Sequence, residues 1–140
     1  MPNMSGLPEP AAWQVMLDRY GPFFSNLRSG SRIGIARRSD LGRREAGIVV
    51  WEARRGRLHA ERRPFCGYAD RSLDIMLVGD DGAIAEVRRH LADAGLPALK
   101  EQVRQGGFVC FLLRTQCDLL EAGYEDVLQS MGVIFMGACR

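Results

Sequence analysis

Apolar and polar residues recur with two different periods along this 140-residue chain. Near the N-terminus, Trp13, Met16, Leu17 and Tyr20 fall on one helical face, because positions three and four apart stack on a 3.6-residue turn. That spacing predicts a helix over Pro8–Tyr20. Pro10 suits its first turn and Gly21-Pro22 stops it. The stripe reads as core packing rather than a partner-binding face, with Phe23 and Phe24 continuing it inward.

The period then shortens. Ile33 and Ile35 alternate with Arg32 and Gly34, and Leu58 and Ala60 alternate with His59 and Glu61. Alternation predicts strands with one wet face over residues 31–37, 47–53 and 56–63. Arg55-Gly56 reads as a tight hairpin turn between the second and third. Further on, Ile75–Val78, Phe108–Leu113 and Val133–Met136 are unbroken apolar runs, which predict strands buried on both faces. Between the first two runs, Ile84, Val87 and Leu91 predict a helix over Gly82–Ala94. Asp80 or Asp81 would cap it, and Gly95 and Pro97 would end it. Leu99–Gln105 adds at most a helical turn. A last helix is predicted over Asp118–Met131, closed by Gly132.

These elements predict a single α+β domain over residues 1–140. It would hold one mixed, twisted sheet of about six strands. An antiparallel meander would be followed by β-α-β-α-β, with helices packed mainly on one face. The unbroken apolar strands should be central and the arginine-bearing strands nearer an edge. Nothing in the pattern marks a repeat or a domain boundary.

Composition adds little, because 46% hydrophobic and 26% charged residues are ordinary for a globular chain. No stretch approaches the roughly 18 apolar residues that span a bilayer. No basic region followed by an apolar stretch opens the N-terminus. A cytoplasmic protein without membrane contact is the expectation. Cys66, Cys110, Cys117 and Cys139 are then expected as reduced, partly buried thiols.

Charge distribution changes the picture more. Residues 28–71 hold twelve arginines against five acids, whereas residues 72–140 carry a net negative charge. Such a positive strand face could meet phosphates. Arg37, Arg38, Arg54, Arg55, Arg62 and Arg63 are the candidate binding residues, with Cys66 in the adjoining loop. Trp51 is the only ring within those strands, which gives base stacking little support. Pairing with acids across the sheet, or with the acidic half of a second copy, is the competing reading.

Other constellations carry less. Asp74 through Leu96, an apolar strand ending in Asp80-Asp81 and leading into a helix, locally resembles the first strand and helix of response-regulator receiver domains. That resemblance implies paired acids holding magnesium. It stops there, because the strand Phe108–Leu113 leads to Arg114, Thr115 and Gln116 where a phospho-accepting Asp is required. The acids read better as helix caps. No zinc spacing occurs among the cysteines and histidines. Ser29-Gly30-Ser31 is small and glycine-rich but precedes a strand, and a phosphate cradle leads into a helix. His59 and His90 read as solvated, and Cys66 and Cys117 as the only thiols able to serve a nucleophilic role.

The sequence therefore predicts a non-enzymatic binding or regulatory module forming a homodimer or other homo-oligomer, without cofactor or metal. Two alternatives remain. One is a protein binding nucleic acid or a small anionic ligand through the arginine-rich face. The other is a small thiol-dependent enzyme.

Overall fold

The computed structural model describes residues 6–43, 47–65 and 72–133. The first helix, α1 (Pro10–Arg19), buries Trp13, Met16 and Leu17, as the stripe predicted. A short 3-10 turn, Gly21–Phe24, then carries Phe24 into the core. Strands β1 (Arg32–Arg37), β2 (Ile48–Arg54) and β3 (Arg57–Arg63) follow as an antiparallel meander. Arg55 and Gly56 close the β2–β3 hairpin with φ of 52° and 80°, the paired left-handed geometry whose twist suits two-residue hairpins.

The second half comprises β4 (Ile75–Gly79), α2 (Asp81–His90), α3 (Gly95–Gln105), β5 (Phe108–Leu112), α4 (Gln116–Glu121) and α5 (Glu125–Ser130). The result is an α+β fold with one mixed sheet, ordered β3-β2-β1-β4-β5. Five strands are present among the described residues. The predicted strand at Val133–Met136 lies outside them beyond Val133.

Three expectations need correction. Gly95 and Pro97 do not end a helix; they begin α3, which runs for 11 residues. Gly95 is there for close approach, since a Cβ on it would lie 2.9 Å from Met16 Cγ of α1. The extra helix reverses the chain once more, so β5 returns antiparallel to β4, and the parallel pair is β1–β4 instead. Second, Phe108–Leu112 is not central. It is the outer strand, with Phe108 buried but Val109, Phe111 and Leu112 at 37%, 37% and 42% exposure. Conversely, β1, which carries Arg32 and Arg37, lies in the middle of the sheet rather than near an edge. Third, the last helix is broken at Gly123, whose φ of +90° ends α4 before α5 starts.

The centre of the sheet is dry on both sides. On the helical face, Ile33, Ile35, Val49, Trp51, Ile75 and Leu77 pack with α1, α2 and α3. The Trp13 and Trp51 rings meet 5.5 Å apart. On the other face, Ala36, Ile48, Val50, Met76 and Val78 form a smaller cluster with Leu73, flanked by Leu41, Phe65 and Leu113. Each large apolar side chain so buried contributes about 1.5–3 kcal/mol. Along the outer edge of β3, Gln14 of α1 stands in for a neighbouring strand. Its Nε2 donates to Leu58 O at 2.9 Å, and its Oε1 accepts from Ala60 N at 2.8 Å. The edge groups are thereby satisfied by a side chain. No helix among the described residues is long and apolar enough to cross a membrane.

Candidate functional site

The arginines singled out by sequence do not converge on a free positive surface. Glu52 on β2 gathers three of the strand arginines. Its Oε1 lies 3.3 Å from Arg32 Nε and 2.8 Å from Arg63 Nη2, and its Oε2 lies 3.5 Å from Arg54 Nε. Arg54 and Arg63 also reach Glu61. Burial would raise the Glu52 carboxyl, but the hydrogen bonds from Arg54, Arg32 and Arg63 outweigh it and hold the carboxyl below its ordinary value. Arg37 clasps Asp40 with two hydrogen bonds, 2.9 and 3.2 Å, and comes within 3.8 Å of Asp81. Arg62 pairs with Glu9 at 3.3 Å and Arg57 with Asp18 at 3.2 Å. Arg38 and Arg55 are exposed, on a 3-10 turn and in the hairpin turn. These pairings join arginines to acids of the same chain, so an acidic partner face is not needed to balance them.

The thiols and histidines are likewise dispersed. Cys66 and Cys139 lie outside the described residues. Cys117, expected as a reduced thiol, is disulfide-bonded, a proximity set by folding that sequence separation does not reveal. Cys110 is free, and burial pushes its thiol up to about 12, which removes thiolate character at neutral pH. His59 lies in β3 opposite Glu52 in the strand register. His90 ends α2, 3.5 Å from Glu86 and 3.7 Å from Asp93. Asp80 caps α2, its Oδ1 accepting from Ala83 N at 2.8 Å. Among the described residues, no group of acids, cysteines and histidines is arranged to hold a metal ion.

A different set of residues converges where the first halves of β1 and β4 meet the exit of β5. Asp74, just before β4, is its hub. Asp74 Oδ2 accepts from the Tyr124 hydroxyl at 2.8 Å and from Arg32 N at 2.9 Å, and its Oδ1 accepts from Arg114 Nε at 3.2 Å. The backbone reinforces this junction, with Asp74 N donating to Arg32 O and Leu113 N donating to Asp74 O, each at 2.9 Å. Tyr124 is fully buried, and burial together with the Asp74 charge lifts its phenol well above the ordinary value. It stays a proton donor to the carboxylate rather than an acid.

Beside this hub lies a polar cleft of about 290 Å³. Its walls come from four parts of the chain: Arg28 to Ser31 before β1, Asp74 before β4, Arg114 after β5, and Asp118 and Ala122 of the α4 region. The local folding that builds it is specific. Arg28 N donates to Ala122 O at 2.8 Å, and Gly30, at φ +93°, turns the chain so that its N–H reaches Ala53 O at 2.8 Å. Ser29 Oγ accepts from Arg55 N at 3.2 Å. Ser31, 5% exposed, is mostly buried yet lines the cleft. Arg114 is held by Asp74, whereas the exposed Arg28 guanidinium makes no ion pair or side-chain hydrogen bond among the described residues. Chemically, the cleft offers hydroxyl and guanidinium donors, with the Asp74 and Asp118 carboxylates also in its lining.

Sequence reasoning did not select these residues. Ser29-Gly30-Ser31, which no helix follows, lines the cleft as a turn. Asp74 opens the receiver-like stretch and Arg114 marks where that resemblance stops. The available signal was a polar pair, Arg114-Thr115, placed directly after an apolar strand, since ligand sites gather at strand ends.

No protein-family model matches the chain, and no curated protein matches it significantly. Among solved structures, one described as "UbiJ-SCP2 Ubiquinone synthesis protein" is similar, with a TM-score of 0.46 at 9% identity, over 88% of this chain and 89% of that one. What this chain binds has to be read from its own residues.

Proposed function

We propose that this protein is a non-enzymatic binding module that takes a small anionic ligand in the cleft between Arg28 and Arg114. The observation that carries this reading is the contrast within the cleft. Arg114 is already neutralised by Asp74, while Arg28 faces the same cavity with no side-chain partner among the described residues. A guanidinium beside two serines suits a carboxylate or phosphate, which accepts several hydrogen bonds at once. Groups with reactive potential nearby are engaged structurally. Asp74 accepts three hydrogen bonds, Tyr124 is locked as a donor, and Cys117 is in a disulfide. That supports binding over catalysis.

The test is a titration of isotopically labelled protein with inorganic phosphate and with acetate, followed by amide resonances. The resonances of residues 28–31 should shift, and Arg28→Ala should weaken binding at least about tenfold, the scale of a lost charge-assisted hydrogen bond. Equal binding by Arg28→Ala, or no shifts at residues 28–31 with either anion, would end the proposal. Homodimerisation belongs to the same reading as a proposal of its own. Light scattering at high concentration that returned the 15.6 kDa monomer mass would sink it.

A further inference from the structure

We infer that the ligand of this cleft is amphipathic, with its anionic head at Arg28 and an aliphatic portion lying over Leu112 and Leu113. The inference rests on the anion-binding reading above and adds the class of molecule. A second, more open cleft of about 440 Å³ runs past Leu112, Leu113, Arg114, Thr115 and Asp118. Arg114 and Asp118 line both clefts, so the two form one groove with unlike ends. One end presents Arg28, Ser29 and Ser31. The other presents leucine.

Leu112 is the informative residue. It follows Phe108 and Cys110 on the helical side of β5, and Phe108 there is 1% exposed. Leu112 is 42% exposed and lines the second cleft. A large apolar side chain left at the mouth of a polar cavity loses nothing when a polar ligand binds beside it. It gains when the ligand carries hydrocarbon, since apolar area leaves water on both sides. Arg114 stands between the two ends, fixed by Asp74 at 3.2 Å, and separates the polar end of the groove from the apolar end. The class that matches is a free carboxylate- or phosphate-headed molecule bearing a short aliphatic chain.

The experiment titrates the wild-type protein with acetate, butanoate, hexanoate and octanoate, each below its aggregation concentration. Affinity should rise about twofold to fourfold per methylene, the lower figure reflecting a half-open groove and the upper one full burial. Leu112→Ala should flatten that rise, while Arg28→Ala should lower every member by a similar factor. If acetate and octanoate bind equally and both depend on Arg28, the amphipathic inference falls and the anion reading stands. If none of the four binds, both fall. An arm with phosphatidylglycerol vesicles separates the sources of the head group. Binding to vesicles without binding to monomeric octanoate overturns the inference, and octanoate binding without co-sedimentation supports it. The chain-length series needs no variant, so a folding defect in Leu112→Ala would leave the outcome decided.

Discussion

Two carboxylates, Glu52 and Asp74, each organise arginines at the surface of this sheet, and they do so to different ends. Glu52 sits among strand neighbours whose charges match it. Arg32, Arg54 and Arg63 converge on it, and Glu61 takes up what Arg54 and Arg63 have left. Asp74 sits at a junction of three strands and is bound by a backbone N–H, a buried phenol and one arginine, while Arg28 remains across the cleft. The first network is closed and the second is open. The difference lies in charge balance: the arginine-dense network is neutralised within the chain, whereas Arg28 lines a cleft without a side-chain acceptor among the described residues.

Substitutions at the two networks separate them. The largest effect is expected beneath the open one, at Gly123→Ala. Its φ of +90° disfavours any Cβ, and that atom would lie 2.0 Å from Asn26 O. Denaturant unfolding should show a loss of about 3 kcal/mol or more. Asp74→Ala comes next, at about 3 kcal/mol, because it removes the acceptor of a backbone N–H and the shorter acceptor of a buried phenol, together with the Arg114 ion pair. A loss no greater than that of an average surface substitution would mean that Asp74 is not the hub.

Glu52→Gln should cost about 1 kcal/mol, since its arginine partners remain partly solvated. Here the pH dependence is informative. Glu52 is held below its ordinary value of 4.5 in the fold, so it contributes stability above that value and loses it as pH falls through the lower, folded value. The stability gap between wild type and Glu52→Gln should therefore shrink between pH 7 and pH 3. A constant gap would show that packing rather than charge holds the network. The smallest effect on stability is expected at Arg28→Ala, within about 0.5 kcal/mol by thermal unfolding, although the proposed anion site would lose its guanidinium. A large stability loss there would make the open network a closed one. Separately, Cys110 should resist iodoacetamide at pH 8 in the native state and react after denaturation, because burial holds its thiol near 12.

Much of the fold was legible in the residue pattern. Trp13, Met16 and Leu17 shared a helical face and are buried; the alternating strands formed the meander; Arg55-Gly56 formed the hairpin turn. Errors fell where one residue type serves two purposes. Gly95 is equally a helix terminator and a close-packing residue, and only Met16 of α1 decides which. The run Phe108–Leu112 reads as a central strand, but its place depends on the direction in which α3 returns the chain. The candidate arginines were located correctly on strands and turns, yet their pairing partners, such as Glu9 for Arg62 and Asp18 for Arg57, lie far off in sequence.

By itself the sequence determined the helix faces, the strand phases, the turn at Arg55-Gly56 and the α+β class, because each follows from local periodicity and backbone preference. Tertiary structure alone decided which arginines are neutralised, and that of the two at the cleft Arg114 is paired and Arg28 is not. Arg28, Asp74, Arg114 and Tyr124 are separated by tens of residues and meet only through the strand order. Charge balance across a fold is a property of distances, and distances between remote residues are not written in the local pattern.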